Sequence, residues 1–135
     1  MKSAKFFAVI LLFISFSFTN CAPDQDQLFT TKEIITRGNW GVEFFINENK
    51  TTEYANYVFT FSASGVLLGT NGNNTVEGTW TVIRDADRSD LLTINLNEQN
   101  NIAELNNSWS VRSKSTVALQ LQAKGNTSEF RIRKL

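Results

Sequence analysis

The sequence predicts an all-β domain in which eight short antiparallel strands form a barrel or a sandwich. Three observations carry this. Between Tyr57 and Val82 the apolar residues recur at every second position: first Tyr57, Phe59 and Phe61, later Val76, Gly78, Trp80 and Val82. Period two belongs to a strand with one buried face, because successive side chains point to opposite sides. Turn signals break the runs at Ser62-Ala63-Ser64-Gly65 and Asn71-Gly72-Asn73-Asn74. All connections are short, and parallel strands need a crossover of a dozen or more residues, so the pairing is antiparallel.

The chain opens with an address. Lys2 and Lys5 precede an apolar run from Phe6 to Phe18, 13 residues long. A membrane-spanning helix needs roughly 20 apolar residues, so residues 1–20 read as a signal peptide. The run ends at Phe18-Thr19-Asn20-Cys21, which resembles the lipobox of bacterial lipoproteins. That resemblance implies cleavage before Cys21 and its lipidation. The competing reading is an ordinary secreted protein cut after Thr19, since Ser17 and Thr19 give a small-x-small pattern. Residues 21–27 then form a polar, lipid-anchored tether, and residues 28–135 form the β domain.

Within that domain the elements follow in order. Thr30 and Glu33 stand at capping-box spacing and Gly38 follows as a stop, so a short helix is expected between Leu28 and Arg37. The first strand is expected over Asn39–Asn47, with Trp40, Val42, Phe44 and Ile46 in phase. The second spans about Tyr54–Ser62, the third Val66–Thr70 and the fourth Thr75–Arg84. The fifth carries Leu92, Ile94 and Leu96, and a helical turn is expected over Ile102–Asn106. The sixth holds Trp109 and Val111, the seventh Val117, Leu119 and Leu121, and the eighth Phe130 and Ile132.

Composition excludes several chemistries. The 13 basic and 13 acidic residues cancel, which removes the electrostatic case for nucleic acid. There is no histidine, hence neither the commonest metal ligand nor the commonest general base. Cys21 is the one cysteine, so no intramolecular disulfide forms. No serine sits in Gly-x-Ser-x-Gly. Glu43, Glu77 and Glu129 fall on wet phases rather than forming a buried acid–base pair. Asp85-Ala86-Asp87-Arg88-Ser89-Asp90 loosely resembles a calcium loop, but it lacks the central glycine and the distal glutamate. It reads as a solvated turn. We therefore expect no catalytic residues, metal or cofactor.

Gly38-Asn39-Trp40 resembles the opening of lipocalins. Trp40, Tyr57-x-Phe59-x-Phe61, Gly65, Gly78-Thr79-Trp80-x-Val82, the alternating Leu92 strand, Leu105, Trp109-x-Val111 and the Phe130 strand together resemble the small lipocalin-like lipoproteins of bacteria. The resemblance implies an up-and-down, eight-stranded lipocalin-like barrel behind a short N-terminal helix. It also implies a place in the bacterial cell envelope, with the outer membrane as the expected location. In lipocalins a basic residue near the chain end lies against the first-strand tryptophan, so Arg131 or Arg133 is expected over Trp40.

The expected function is non-catalytic binding of a small apolar or amphipathic ligand inside the barrel. Trp40, Phe44, Tyr57, Phe59, Phe61, Trp80 and Trp109 would line that cavity. The mouth would lie at the asparagine-rich end, with Glu53 and Glu98 beside it. The alternative is a structural or interaction module with a filled core that meets another envelope protein. Apolar stripes serve as core or as cavity wall alike, so the sequence leaves both open.

Overall fold

The computed structural model describes residues 29–45, 50–97 and 101–135; Cys21 and Glu98 lie outside them. The expected helix forms as α1, Thr31–Ile35. The Thr30 hydroxyl accepts from the Glu33 amide at 3.2 Å, and the Glu33 carboxylate accepts from the Thr30 amide at 2.8 Å. This reciprocal pair satisfies two amides that a helix start leaves orphaned.

Eight strands follow: β1 (Asn39–Phe45), β2 (Val58–Phe61), β3 (Val66–Asn71), β4 (Asn74–Arg84), β5 (Asp90–Leu96), β6 (Asn107–Lys114), β7 (Ala118–Ala123) and β8 (Glu129–Lys134). Each pairs antiparallel with the next, and β8 returns to β1, closing the barrel. The domain is the expected eight-stranded up-and-down barrel with a short N-terminal helix.

Two elements differ from expectation. Thr51–Tyr54 forms a helical turn, α2, where strand two was expected to begin. Val117 sits in the connection before β7 and is exposed, so the inward set of that strand is Leu119, Leu121 and Ala123. The helical turn expected near Ile102 is a 3-10 helix, Asn101–Leu105.

The inward phase makes one core. Trp40 and Val42 of β1, Phe59 and Phe61 of β2, Leu67 of β3, Val76 and Trp80 of β4 all join it. Leu92, Ile94, Leu96, Trp109, Leu119, Leu121, Phe130 and Ile132 complete the ring. A fully buried side chain of this kind contributes about 1.5–3 kcal/mol relative to exposure. Gly78 marks a tight place in the wall: a Cβ there would lie 2.2 Å from the Asn95 carbonyl oxygen. On the closing seam Val42 faces Ile132 and Phe44 faces Arg131, which leaves Glu43 as the extra residue of a bulge.

Candidate functional site

Of the residues expected to line a cavity, Trp40, Phe59, Phe61, Trp80 and Trp109 meet in one core. Trp40 and Trp109 are fully buried, and Phe59, Phe61 and Trp80 are buried beside them in the same core. Phe61 sets its ring edge-on to Trp80 at 5.6 Å, and Trp109 does so to Phe130 at 4.5 Å. Tyr57 precedes β2, is half-buried and stacks on Phe59 with ring centroids 5.8 Å apart. The side chain of Phe44 lies outside the described residues.

The end expected to be a mouth carries a stopper. Tyr54 of α2 and Ile102 and Leu105 of the 3-10 helix are buried in the core beneath it. Lys50 pairs with Glu104, and the Tyr54 hydroxyl donates to Glu104 Oε2 at 3.5 Å, so α2 and the 3-10 helix are joined. Burial, then the carboxylates of Glu104 and Glu53, push the Tyr54 hydroxyl above the ordinary phenol range. Glu53 is exposed on α2 and points away from the interior. The sequence hid this arrangement, because Thr51-Thr52-Glu53-Tyr54 carries no apolar period and its threonines favour strand.

The expected contact of Arg131 or Arg133 with Trp40 does not form. Alternation along β8 sends Phe130 and Ile132 inward and both arginines outward, while the Trp40 indole is inside. The arginines instead flank the bulged Glu43: Arg131 Nε lies 3.3 Å from Oε2 and Arg133 Nη1 lies 3.4 Å from Oε1. The backbone partner of Trp40 on β8 is Lys134. An arginine does cover an aromatic ring elsewhere, Arg37 over Phe29 at 4.5 Å.

The chemistry-bearing surface lies outside the barrel. A cleft of about 550 Å³ runs between the β4–β5 turn and the outer side of β6, lined by Arg84, Arg88, Asp90, Arg112 and Lys114. Asp90 holds it together. Its Oδ1 takes Arg84 at 2.9 Å, its Oδ2 has Lys114 at 3.8 Å, and the Thr31 hydroxyl of α1 donates to that same Oδ2. Arg112 donates from Nε to the neutral Gln122 amide oxygen at 2.6 Å. Among the described residues no carboxylate stands within ion-pairing distance of Arg88 or Arg112.

The other acids of the turn are already engaged. Asp85 takes Lys124 at 2.8 Å. Asp87 accepts from the Ser89 hydroxyl at 2.5 Å and the Ser89 amide at 2.9 Å, and the hydroxyl bond chiefly holds its carboxyl below the usual range. Among the described residues no group of three or more acidic or thiol side chains is arranged to hold a metal ion. The sequence held a signal for the cleft: Arg84 and Arg88 bracket one turn, while Arg112 and Lys114 end a strand two places on in a meander. Chain neutrality masked that local excess.

The barrel has a solved counterpart. The chain is similar to the crystal structure of a DUF4847 family protein from Bacteroides vulgatus, with a TM-score of 0.58 and 19% identity. The match covers 78% of this chain and 98% of that one. At this identity the likeness shows the fold alone. No protein-family model matches the chain, and neither does any curated protein.

Proposed function

We propose that this chain is a lipid-anchored, non-catalytic barrel of the bacterial cell envelope, held at the outer membrane through Cys21, that works through its outer surface. The observation that carries the reading is the described interior. Its aromatic residues pack on one another, α1 stands against one end of the barrel, and Tyr54, Ile102 and Leu105 stop the other. On this reading a partner meets loops and outer faces. The apolar leader and the cysteine at its end support the address.

A second reading has its own support. Within the stopper at the asparagine-rich end, Glu104 of the 3-10 helix is joined to Lys50 and to Tyr54 of α2 by a salt bridge and a phenol contact that water can replace. If α2 and the 3-10 helix swing aside, a small apolar or amphipathic ligand gains access to the aromatic interior.

Mass spectrometry of the protein from its own host's envelope tests both readings. A native mass free of small molecules supports the surface module, and a co-purifying lipid or metabolite turns the assignment to the carrier. An acylated N-terminal Cys21 peptide supports the anchor. An unmodified N-terminus at Asn20 rejects it.

A further inference from the structure

We propose that the cleft between the β4–β5 turn and β6 binds a phosphate-type oxyanion. Charge is the first argument. Arg84, Arg88, Arg112 and Lys114 face one carboxylate, Asp90, so four positive charges line the cleft against one negative. Including Lys124, Asp85 and Asp87 from the adjoining cleft still leaves five against three. The chain as a whole is neutral, so the cleft carries a local positive excess.

Availability is the second. Asp90 engages Arg84 and Lys114, whereas no described carboxylate stands within ion-pairing distance of Arg88 or Arg112, Asp87 feeling Arg112 only through space. Two guanidinium forks are thus left with donors to spare. Such forks match the oxygen spacing of phosphate and make charge-assisted hydrogen bonds of about twice the usual strength. A tetrahedral oxyanion offers enough terminal oxygens to serve both arginines and Lys114 together. A carboxylate offers two.

The turn supplies the third. Arg88 has φ 68°, and it is the one non-glycine residue with positive φ among the described residues. Glycine or asparagine fills that conformation at lower backbone cost. The turn holds a long cationic side chain there instead, and that side chain lines the cleft.

The oxyanion has two possible sources, a soluble phosphate or a lipid headgroup. The geometry beside α1 bears on this. Asp90 accepts from Thr31, two residues beyond Phe29, where the described fold begins. Cys21 lies eight residues before Phe29, a span of at most about 29 Å when extended. An acyl anchor at Cys21 would hold the cleft close to headgroup phosphates. The binding chemistry stands without the anchor; only the headgroup source rests on the function proposed above.

The test titrates inorganic phosphate into the full chain, held in a detergent with an uncharged headgroup, and follows amide NMR shifts. Saturating shifts are expected at Arg88, Ser89, Arg112 and Ser113. Arg88→Gly and Arg112→Gln should each weaken the apparent affinity about tenfold, and Lys32→Gln on α1 should leave it unchanged. A second arm compares nanodiscs of neutral lipid with nanodiscs containing phosphatidylglycerol. Shifts at the same amides with phosphatidylglycerol assign the headgroup, and shifts with inorganic phosphate alone assign a soluble oxyanion. Shifts in neither arm, or shifts that survive both arginine substitutions, overturn the proposal. If Cys21 proves unacylated and phosphate still binds, the anchor falls and the cleft stands.

Discussion

The Trp40 indole N–H donates to the Ile35 carbonyl at 2.8 Å, and this bond fastens α1 to the first strand of the barrel. Ile35 is the last residue of α1, where carbonyls lack partners inside the helix. Trp109 does the same for the 3-10 helix, donating to the Leu105 carbonyl at 2.9 Å. Trp80 donates to the Ser62 carbonyl in the β2–β3 turn, also at 2.9 Å. Each tryptophan thus fills the core and secures a peripheral element with its one polar atom.

Trp40→Phe removes that donor, orphans the Ile35 carbonyl and leaves a void. Together these should cost about 2–3 kcal/mol. Urea unfolding should show a lower midpoint with an unchanged slope. Hydrogen exchange should accelerate in α1 more than in β4 or β5; uniform acceleration would mean that Trp40 does not fasten the helix.

Gly78→Ala should be the harshest glycine substitution in the wall. Its methyl would meet the Asn95 carbonyl oxygen at 2.2 Å, and backbone on both sides resists displacement. A loss of roughly 3 kcal/mol is expected. At Gly69 the new methyl would meet the Phe59 ring at 2.9 Å, and a ring can turn, so Gly69→Ala should cost about 1 kcal/mol. Denaturant midpoints of the two variants decide the order.

Arg88→Gly should make the protein more stable by about 0.5–1 kcal/mol, because it relieves a left-handed backbone in an exposed turn. The Arg88 amide donates to the Asp85 carbonyl at 3.0 Å, a bond that glycine keeps. Thermal unfolding at fixed ionic strength measures this. A lower Tm would mean that the arginine side chain contributes more to the turn than its conformation costs.

Alkaline titration should single out Tyr54. Its hydroxyl is pushed up by burial and by Glu104 and Glu53, so the folded state keeps the proton where the unfolded chain releases it. The associated stability is complete below the ordinary phenol range, near pH 10, and is lost as pH rises beyond it. Tyrosinate absorbance should therefore show one phenol that ionises only as the barrel unfolds. Tyr54→Phe should remove that coupled step.

The sequence made the barrel legible because a closed sheet repeats one rule. Trp40, Phe59, Trp80, Leu92, Trp109 and Phe130 sit on the inward phase of their strands, and the turns carry their usual residues. What stayed hidden depended on places where distant segments meet. Tyr54 reads as the start of a strand because nothing local marks a four-residue helix that fills the end of a barrel. The resemblance sets Arg131 or Arg133 on Trp40, yet alternation alone puts both outside with Glu43. The cleft joins Arg84 and Arg88 to Arg112 and Lys114, and only the register of the strands between them reveals that contact.

Pairing of β8 with β1 has a consequence for life at high local density. Among the described residues every strand has a hydrogen-bonded neighbour on both sides, so the sheet has no edge strand to offer another copy. Exposed strand edges are the usual templates for runaway association between like chains. This architecture lets many copies crowd without zipping strand to strand, and leaves encounters to be decided by loops and charge.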